Sequence, residues 1–277
     1  MGQIDRLLAR SFLPSRDPAG HKGTFGKVYV LGGAVGYTGA PVYAGEAAVR
    51  TGSGLVYVGV PEKVYPIVAA RCKVSMVHPI AEEYEDLLQT ISACDVAVIG
   101  PGLGRTMYTD RTVRRLLRDL KKPVVLDADG INAVALHIDV LTGRTVPTVL
   151  TPHEGEFVRL GGDLTLGRKR AASEFAAKCG CVLVLKGPGT VVAAPDGRIL
   201  QNTTGNCGMA KGGSGDVLAG MIGSLMGQGA DAFSAAACAV WLHGKAGDLC
   251  ARDLTEYAMT PVDMIDYLPV AFRNLLE

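Results

Sequence analysis

The sequence predicts an α/β fold, a mostly parallel sheet covered by helices on two faces. Three observations carry this expectation. Most candidate strands are continuous apolar runs rather than alternating ones, as in strands buried on both sides. These runs alternate along the chain with segments of helical periodicity. Glycine-rich turns follow three of them, at 32–33, 100–104 and 187–189. Open α/β sheets place their ligands at such positions, beyond the carboxyl ends of the strands.

The elements follow in order. The N-terminal arm, 2–18, reads as a helix with Ile4, Leu7, Leu8 and Phe12 turned inward. Strands are predicted over 27–32, 55–60, 74–80, 96–99, 124–127, 148–150 and 182–186. Segment 111–120 sets Val113, Leu116, Leu117 and Leu120 on one side, and 216–226 repeats the pattern with Val217, Leu218, Met221, Ile222 and Leu225. Gly52-Ser53-Gly54 reads as a turn from a small-residue helix into a strand. Pro195-Asp196-Gly197 between the runs 190–194 and 198–201 is a hairpin signal. The chain then becomes helical over 232–249 and 260–276, with Thr260 as N-cap and Pro261 as first helical residue. No linker, repeat or low-complexity run interrupts it, so 1–277 is read as a single domain.

Composition narrows the function. The chain of 277 residues is 48% apolar even before its 36 glycines are counted, which excludes intrinsic disorder. A net charge of +1 argues against nucleic acid as a main partner, while leaving room for local phosphate sites. Seven cysteines without a CxxC pair suggest reduced thiols in a cytoplasmic protein. Cys179 and Cys181 are expected on alternate faces at a strand start. The uncharged stretch 28–45 holds five Gly, Pro41, Thr38 and three Tyr, and therefore reads as strand, turn and helix rather than a membrane span. No secretory leader or membrane partner is expected.

Four constellations could carry chemistry. The run from Asn202 through Asn206, Gly213, Ser214 and Gly215 to Asp216 opens directly into an amphipathic helix. Glycines there let backbone N–H groups converge, and the helix N-terminus adds its positive end, which together make an anion hole. Asp216 is either a charge that suits the helix dipole or a general base beside a phosphate cradle. Lys186-Gly187-Pro188-Gly189-Thr190 ends a strand; Lys186 could meet a phosphate, or stand exposed on a tight turn. In Thr151-Pro152-His153-Glu154-Gly155-Glu156, His153 could orient a substrate and Glu156 could hold a water on Mg²⁺, or be a solvated acid in a first helical turn. Asp127 and Asp129 would flank a ligand if the strand continued, or mark a helix entry if it turned. Neither G-x-x-x-x-G-K-[S/T] nor a G-x-G-x-x-G opening the first helix is present, so a nucleotide would be held another way.

The run Gly213-Ser214-Gly215-Asp216 resembles the G-x-G-D signature of the ribokinase-like superfamily, whose fold is a three-layer sandwich. More narrowly, the chain resembles the NAD(P)H-hydrate dehydratase family. The matching landmarks are His21 to Gly26, Gly39-Ala40, Val98 to Gly104, Leu126 to Asp129, Leu150 to Phe157, Leu185 to Gly187, and Thr204 to Asp216, all in the family's order. The resemblance implies that Lys186, Gly187, Pro188, Gly189, Thr190 and Gly215 hold an adenine nucleotide, with Asn206, Gly213 and Ser214 in the same cradle. It implies that Ala40, Gly102 or Gly104, His153 and Asp216 contact the hydrated cofactor. Asp216 would be the catalytic base, Mg²⁺ the metal, and ADP or ATP the co-substrate. A separate epimerase and a homo-oligomer, a tetramer, are further expectations. Related vitamin kinases carry Asn where this chain has His153, which favours the dehydratase over a hydroxymethylpyrimidine or thiazole kinase.

Overall fold

A computed structural model describes residues 2–277. Its strands are β1 (Gly2–Ile4), β2 (Lys27–Leu31), β3 (Leu55–Val60), β4 (Met76–Pro79), β5 (Val96–Ile99), β6 (Val124–Leu126), β7 (Thr148–Leu150), β8 (Val182–Leu185), β9 (Val191–Ala193) and β10 (Ile199–Asn202). They form a single sheet in the order β1-β10-β9-β8-β7-β6-β5-β2-β3-β4. Only β9 runs against the rest, because the 195–197 turn folds β9 and β10 into a hairpin beside β8. The helices are α1 (Arg6–Ser11), α2 (Gly39–Arg50), α3 (Tyr65–Arg71), α4 (Tyr84–Ser92), α5 (Met107–Asp119) and α6 (Asp129–Val134). They continue with α7 (Asp139–Thr142), α8 (Glu154–Arg159), α9 (Arg168–Cys179), α10 (Ser214–Gly227), α11 (Ala232–Ala258) and α12 (Pro261–Leu276).

Side-chain alternation along the strands splits the core into two layers. Val28, Val30, Val96, Val98, Val125 and Val149 face α2, α10, α11 and α12, with α1 and α3 at the margin. Tyr29, Leu31, Ala97, Ile99, Leu126 and Leu150 face α4 to α9. Both sides of the central strands are therefore dry, which explains the uninterrupted apolar runs. Small residues set the spacing in the first layer: a Cβ on Gly220 would stand 2.0 Å from the Ala44 carbonyl oxygen, so α10 crosses α2 in backbone contact. Thr260 caps α12 reciprocally with Asp263, and Pro261 follows, as expected.

Three expectations are corrected. The N-terminal arm is not one helix: Gly2–Ile4 pairs parallel with β10, and α1 starts only after Asp5, whose carboxylate accepts the Leu8 N–H at 2.8 Å. Ile4 is buried, but Leu7 is 69% exposed. The strand at 74–80 shortens to Met76–Pro79. Glu46 Oε1 accepts the N–H groups of Lys73 and Val74 at 3.0 and 3.4 Å and diverts that backbone from the ladder. Cys179 and Cys181 do not take alternate faces of a strand. Cys179 ends α9, Gly180 turns left-handed, and both thiols pack into the α4–α9 layer.

Candidate functional site

The site is built at the carboxyl ends of β2, β5, β6, β7 and β8, where the glycine turns stack on one another. Gly33 N–H donates to the Pro101 carbonyl at 2.9 Å, and a Cβ on Gly32 would lie 2.3 Å from that oxygen. Gly100 has φ +123, and a Cβ there would strike the Asp127 carbonyl at 1.9 Å. Only glycine meets both demands. Further out, the Cβ position of Gly102 is 2.9 Å from Ala40 Cβ, and Gly104 N–H donates to Asp129 Oδ2 at 2.9 Å. Ala40, Gly102 and Gly104 thus share one rim of the site.

Asp127 and Asp129 diverge. The strand stops at Leu126, Ala128 takes φ +48, and Asp129 opens α6, so the helix-entry alternative is the observed one. That left-handed alanine is strained backbone of the kind found where a site fixes its geometry. Asp127 turns inward and is 1% exposed. Its Oδ1 accepts from Thr151 Oγ1 at 2.7 Å and from Lys186 Nζ at 2.8 Å. Lys186 is therefore not the exposed turn residue of the bland alternative. Its ammonium also faces Glu156 Oε2 at 3.9 Å. Burial alone would lower the Lys186 pKa, but Asp127 and Glu156 outweigh it and hold the ammonium charged above its ordinary range.

Glu156 is buried and not a solvated acid. It and His153 cap α8 reciprocally: Glu156 Oε2 accepts the His153 N–H at 2.8 Å. His153 Nδ1 accepts from Gly155 and Glu156 N–H at 3.0 and 3.3 Å. An asparagine would serve the same N-cap role, so the His-for-Asn exchange at this position has a structural reason as well as a chemical one. With Nδ1 committed, Nε2 is the ring nitrogen that can meet a ligand; it stands 3.6 Å from Glu156 Oε1.

The second half of the site comes from α10. Gly213 is its N-cap at φ +106, and the Ser214 carbonyl accepts from His243 Nε2 at 2.9 Å. Burial holds His243 down to about 4, so it is neutral and structural. A Cβ on Gly215 would lie 3.1 Å from Lys186 Nζ and 3.7 Å from Asp127 Oδ2. The bare backbone of Gly215 thus faces the Lys186 ammonium, and the two phosphate-type motifs converge. Asp216 sits beside them. Its pKa is raised to about 7, first by burial and then by Asp127, with Lys186 pulling the other way and Asp129 and Glu156 adding to the rise. A carboxylate poised near neutrality in the first turn of a helix can accept a proton from a hydroxyl.

Asn206 caps a short turn through its Oδ1 to Gly208 N–H at 3.0 Å, and its Nδ2 donates to Asp248 Oδ1 at 3.1 Å. In the 186–190 loop Gly187 and Gly189 have positive φ, and Thr190 Oγ1 donates to the Gly187 carbonyl at 3.0 Å. Arg168 was missed: its Nη2 donates to the Leu185 and Lys186 carbonyls, both at 3.1 Å. Nothing in the run Gly167-Arg168-Lys169-Arg170 distinguishes that arginine from a solvated charge. Among the described residues no group of three or more His, Cys, Asp or Glu side chains is arranged to hold a metal by itself. Among the described residues no helix is long and apolar enough to cross a membrane.

The fold and these converging turns define an α/β protein of the ribokinase-like class. The ribokinase of Thermotoga maritima superposes with a TM-score of 0.55 at 12% identity, covering 87% of this chain and 99% of the other, a likeness of fold alone. The pattern of the NAD(P)H-hydrate dehydratase family matches residues 28–270, and the chain belongs to that family. It is 43% identical over 281 residues to a bifunctional NAD(P)H-hydrate repair enzyme of Moorella thermoacetica, covering 97% of this chain and 53% of the relative. The chain therefore spans about half the length of that bifunctional protein. An ADP-dependent (S)-NAD(P)H-hydrate dehydratase of Neisseria meningitidis is 39% identical over 83% of this chain and 78% of its own length. The structure of an ADP/ATP-dependent NAD(P)H-hydrate dehydratase from Bacillus subtilis, co-crystallised with ATP and Mg²⁺, aligns over 99% of this chain and 98% of the other, with a TM-score of 0.84 and 32% identity.

Proposed function

We propose that this chain dehydrates the S-epimer of hydrated NADH or NADPH at the expense of a nucleotide, with ADP as phosphoryl donor and ATP as the alternative. The observation that carries the proposal is Asp216, held near pH 7 where Gly215 meets the Lys186–Asp127 pair.

The hydrate bears a hydroxyl on the carbon next to the ring nitrogen. Asp216 takes the proton of that hydroxyl as its oxygen bonds the terminal phosphorus of ADP and the bond to AMP breaks. Backbone N–H groups at Gly213 and Gly215 stabilise the charge on the transferring group, with Ser214 in the same turn. The ring nitrogen lone pair then expels phosphate, and loss of a proton from the neighbouring carbon restores the dihydronicotinamide. Lys186 to Thr190, with Asn206, hold the nucleotide; Ala40, Gly102, Gly104 and His153 hold the hydrate. Mg²⁺ would neutralise phosphate oxygens, with Glu156 reaching it through water. The residues present suit an ion that arrives with the phosphates, since Asp127 and Glu156 already face the Lys186 ammonium and no group of three or more His, Cys, Asp or Glu among the described residues is arranged to hold a metal by itself. A separate epimerase, a homotetrameric state and a cytoplasmic location belong to the same proposal.

The test is cofactor repair. Purified protein is mixed with Mg²⁺ and NADPH hydrate, with ADP in one reaction and ATP in another, and the dihydronicotinamide absorbance is followed. Nucleotide-dependent recovery is the expected result and names the donor. No recovery with either, from protein that binds nucleotide, overturns the proposal in favour of a kinase acting on a pyrimidine or thiazole alcohol.

A further inference from the structure

We propose that Lys211 is a positioning residue: its ammonium latches loop 205–213 onto the strained end of α11 and so holds the nucleotide cradle in shape. A lysine two residues before Gly213 would, from sequence, suggest a phosphate ligand. The geometry turns it elsewhere. Its Nζ donates to the Tyr257 carbonyl at 2.7 Å, to the Met259 carbonyl, and to the Glu256 carbonyl at 3.5 Å. An ammonium has three donors, and all three are committed.

The acceptors explain the need. At the end of α11 Thr255 takes φ +67 and ψ +156, a backbone region that suits glycine and penalises a β-branched residue. Carbonyls at a helix end lack intrahelical partners, and the Lys211 ammonium supplies them. The loop lies directly on this turn. A Cβ on Gly208 would meet Glu256 Cα at 2.7 Å, and Cys207 Sγ donates to Glu256 Oε2 at 3.2 Å. On its other side, the Lys211 carbonyl accepts the Ser214 N–H at 3.2 Å. Movement of Lys211 would therefore pass straight into the first turn of α10, which carries Gly215 and Asp216.

The effect on ligands rests on the nucleotide reading above; the latch itself can be tested without it. Lys211→Met keeps the aliphatic stem and removes the donors. The expected result is ADP affinity weaker by about ten-fold, on the order of one charged hydrogen bond, with KM for the hydrate nearly unchanged. Thr255→Gly in the same background relaxes the turn and should recover most of that loss. Unchanged ADP affinity in folded Lys211→Met overturns the proposal. So does a loss that Thr255→Gly leaves in place while the salt dependence of ADP binding flattens, because Lys211 would then touch phosphate itself. The same pair of substitutions is scored by melting temperature with no ligand present: the drop caused by Lys211→Met should shrink in the Thr255→Gly background, and simple additivity refutes the latch. Wild-type protein that binds neither ADP nor ATP would sink the nucleotide reading, and the melting cycle would still decide the latch.

Discussion

Lys186→Met is the most informative perturbation of the site. The substitution leaves Asp127 buried, with Thr151 Oγ1 as its remaining side-chain partner. Removing one member of a buried ion pair costs about 3–5 kcal/mol, most of it the penalty of the charge left behind. In a chain of this size each kcal/mol moves the melting temperature by about 2–4 °C, so the midpoint should fall by about 6–20 °C. The assay is thermal unfolding near pH 7.5 without ligand. The double variant Lys186→Met/Asp127→Asn removes the uncompensated charge while keeping an acceptor for Thr151, and should recover much of the loss. A single variant within about 2 °C of wild type, or a double variant showing the sum of both losses, would refute the view that Asp127 and Lys186 form one energetic unit. The same variant carries a kinetic signature. Lys186 lowers the proton affinity of Asp216, so its loss should shift the acid limb of any residual activity to higher pH.

Four further outcomes follow from the geometry. Asp216→Asn should cut turnover by about 10²–10⁴-fold, the usual worth of a positioned general base, while calorimetry still detects ADP. In the wild type, kcat/KM should rise with pH through about 7 as Asp216 ionises; a flat profile between pH 5 and 8 would remove Asp216 from the base role. Stability should move the opposite way. The folded chain holds this proton more tightly than the unfolded one, about 7 against 3.8. The stability it contributes is therefore complete below about pH 4 and lost as pH rises through about 7. Asp216→Asn should be more stable than wild type at pH 8, by up to about 4 kcal/mol, and lose that advantage near pH 4. Gly220→Ala forces a methyl against the Ala44 carbonyl and should cost about 1–3 kcal/mol by overpacking, read as a lower denaturant midpoint.

What the sequence discloses about this site depends on how local the signal is. The parallel sheet, the Asp196-Gly197 hairpin and the Thr260 cap rest on periodicity or on a few adjacent residues, and all appear as expected. The three residues of β1 carry too little pattern to betray a strand, and only their pairing with β10, about two hundred residues away, makes one. The cluster at the site is opaque for the same reason. Asp127, Glu156 and Lys186 each ended a strand or opened a helix and each kept a bland alternative, while Thr151 carried no reading of its own. Only the adjacency of β6, β7 and β8 brings them into one buried cluster. Arg168 and Lys211 lay beyond reach because the hydrogen bonds that set their roles go to backbone carbonyls, which carry no side-chain signature at all.

The charge count of that cluster links its stability to its chemistry. Asp127, Glu156 and Asp216 face a single ammonium, that of Lys186. A carboxylate in such a cluster is costly to ionise unless a cation or an N–H donor compensates it directly. Asp127 has Lys186 at 2.8 Å and the Thr151 hydroxyl; Glu156 has the His153 N–H as well as the more distant ammonium. Asp216 has neither contact, and it is the one driven to about 7. The lysine thus does two things with one charge: it fixes two acids as structure and leaves the third as a base near neutral pH. Substitutions at Asp127 or Glu156 should therefore act on the reaction through Asp216. Asp127→Asn removes a charge that raises the Asp216 pKa, and its acid limb should move below that of the wild type even though residue 127 itself transfers no proton.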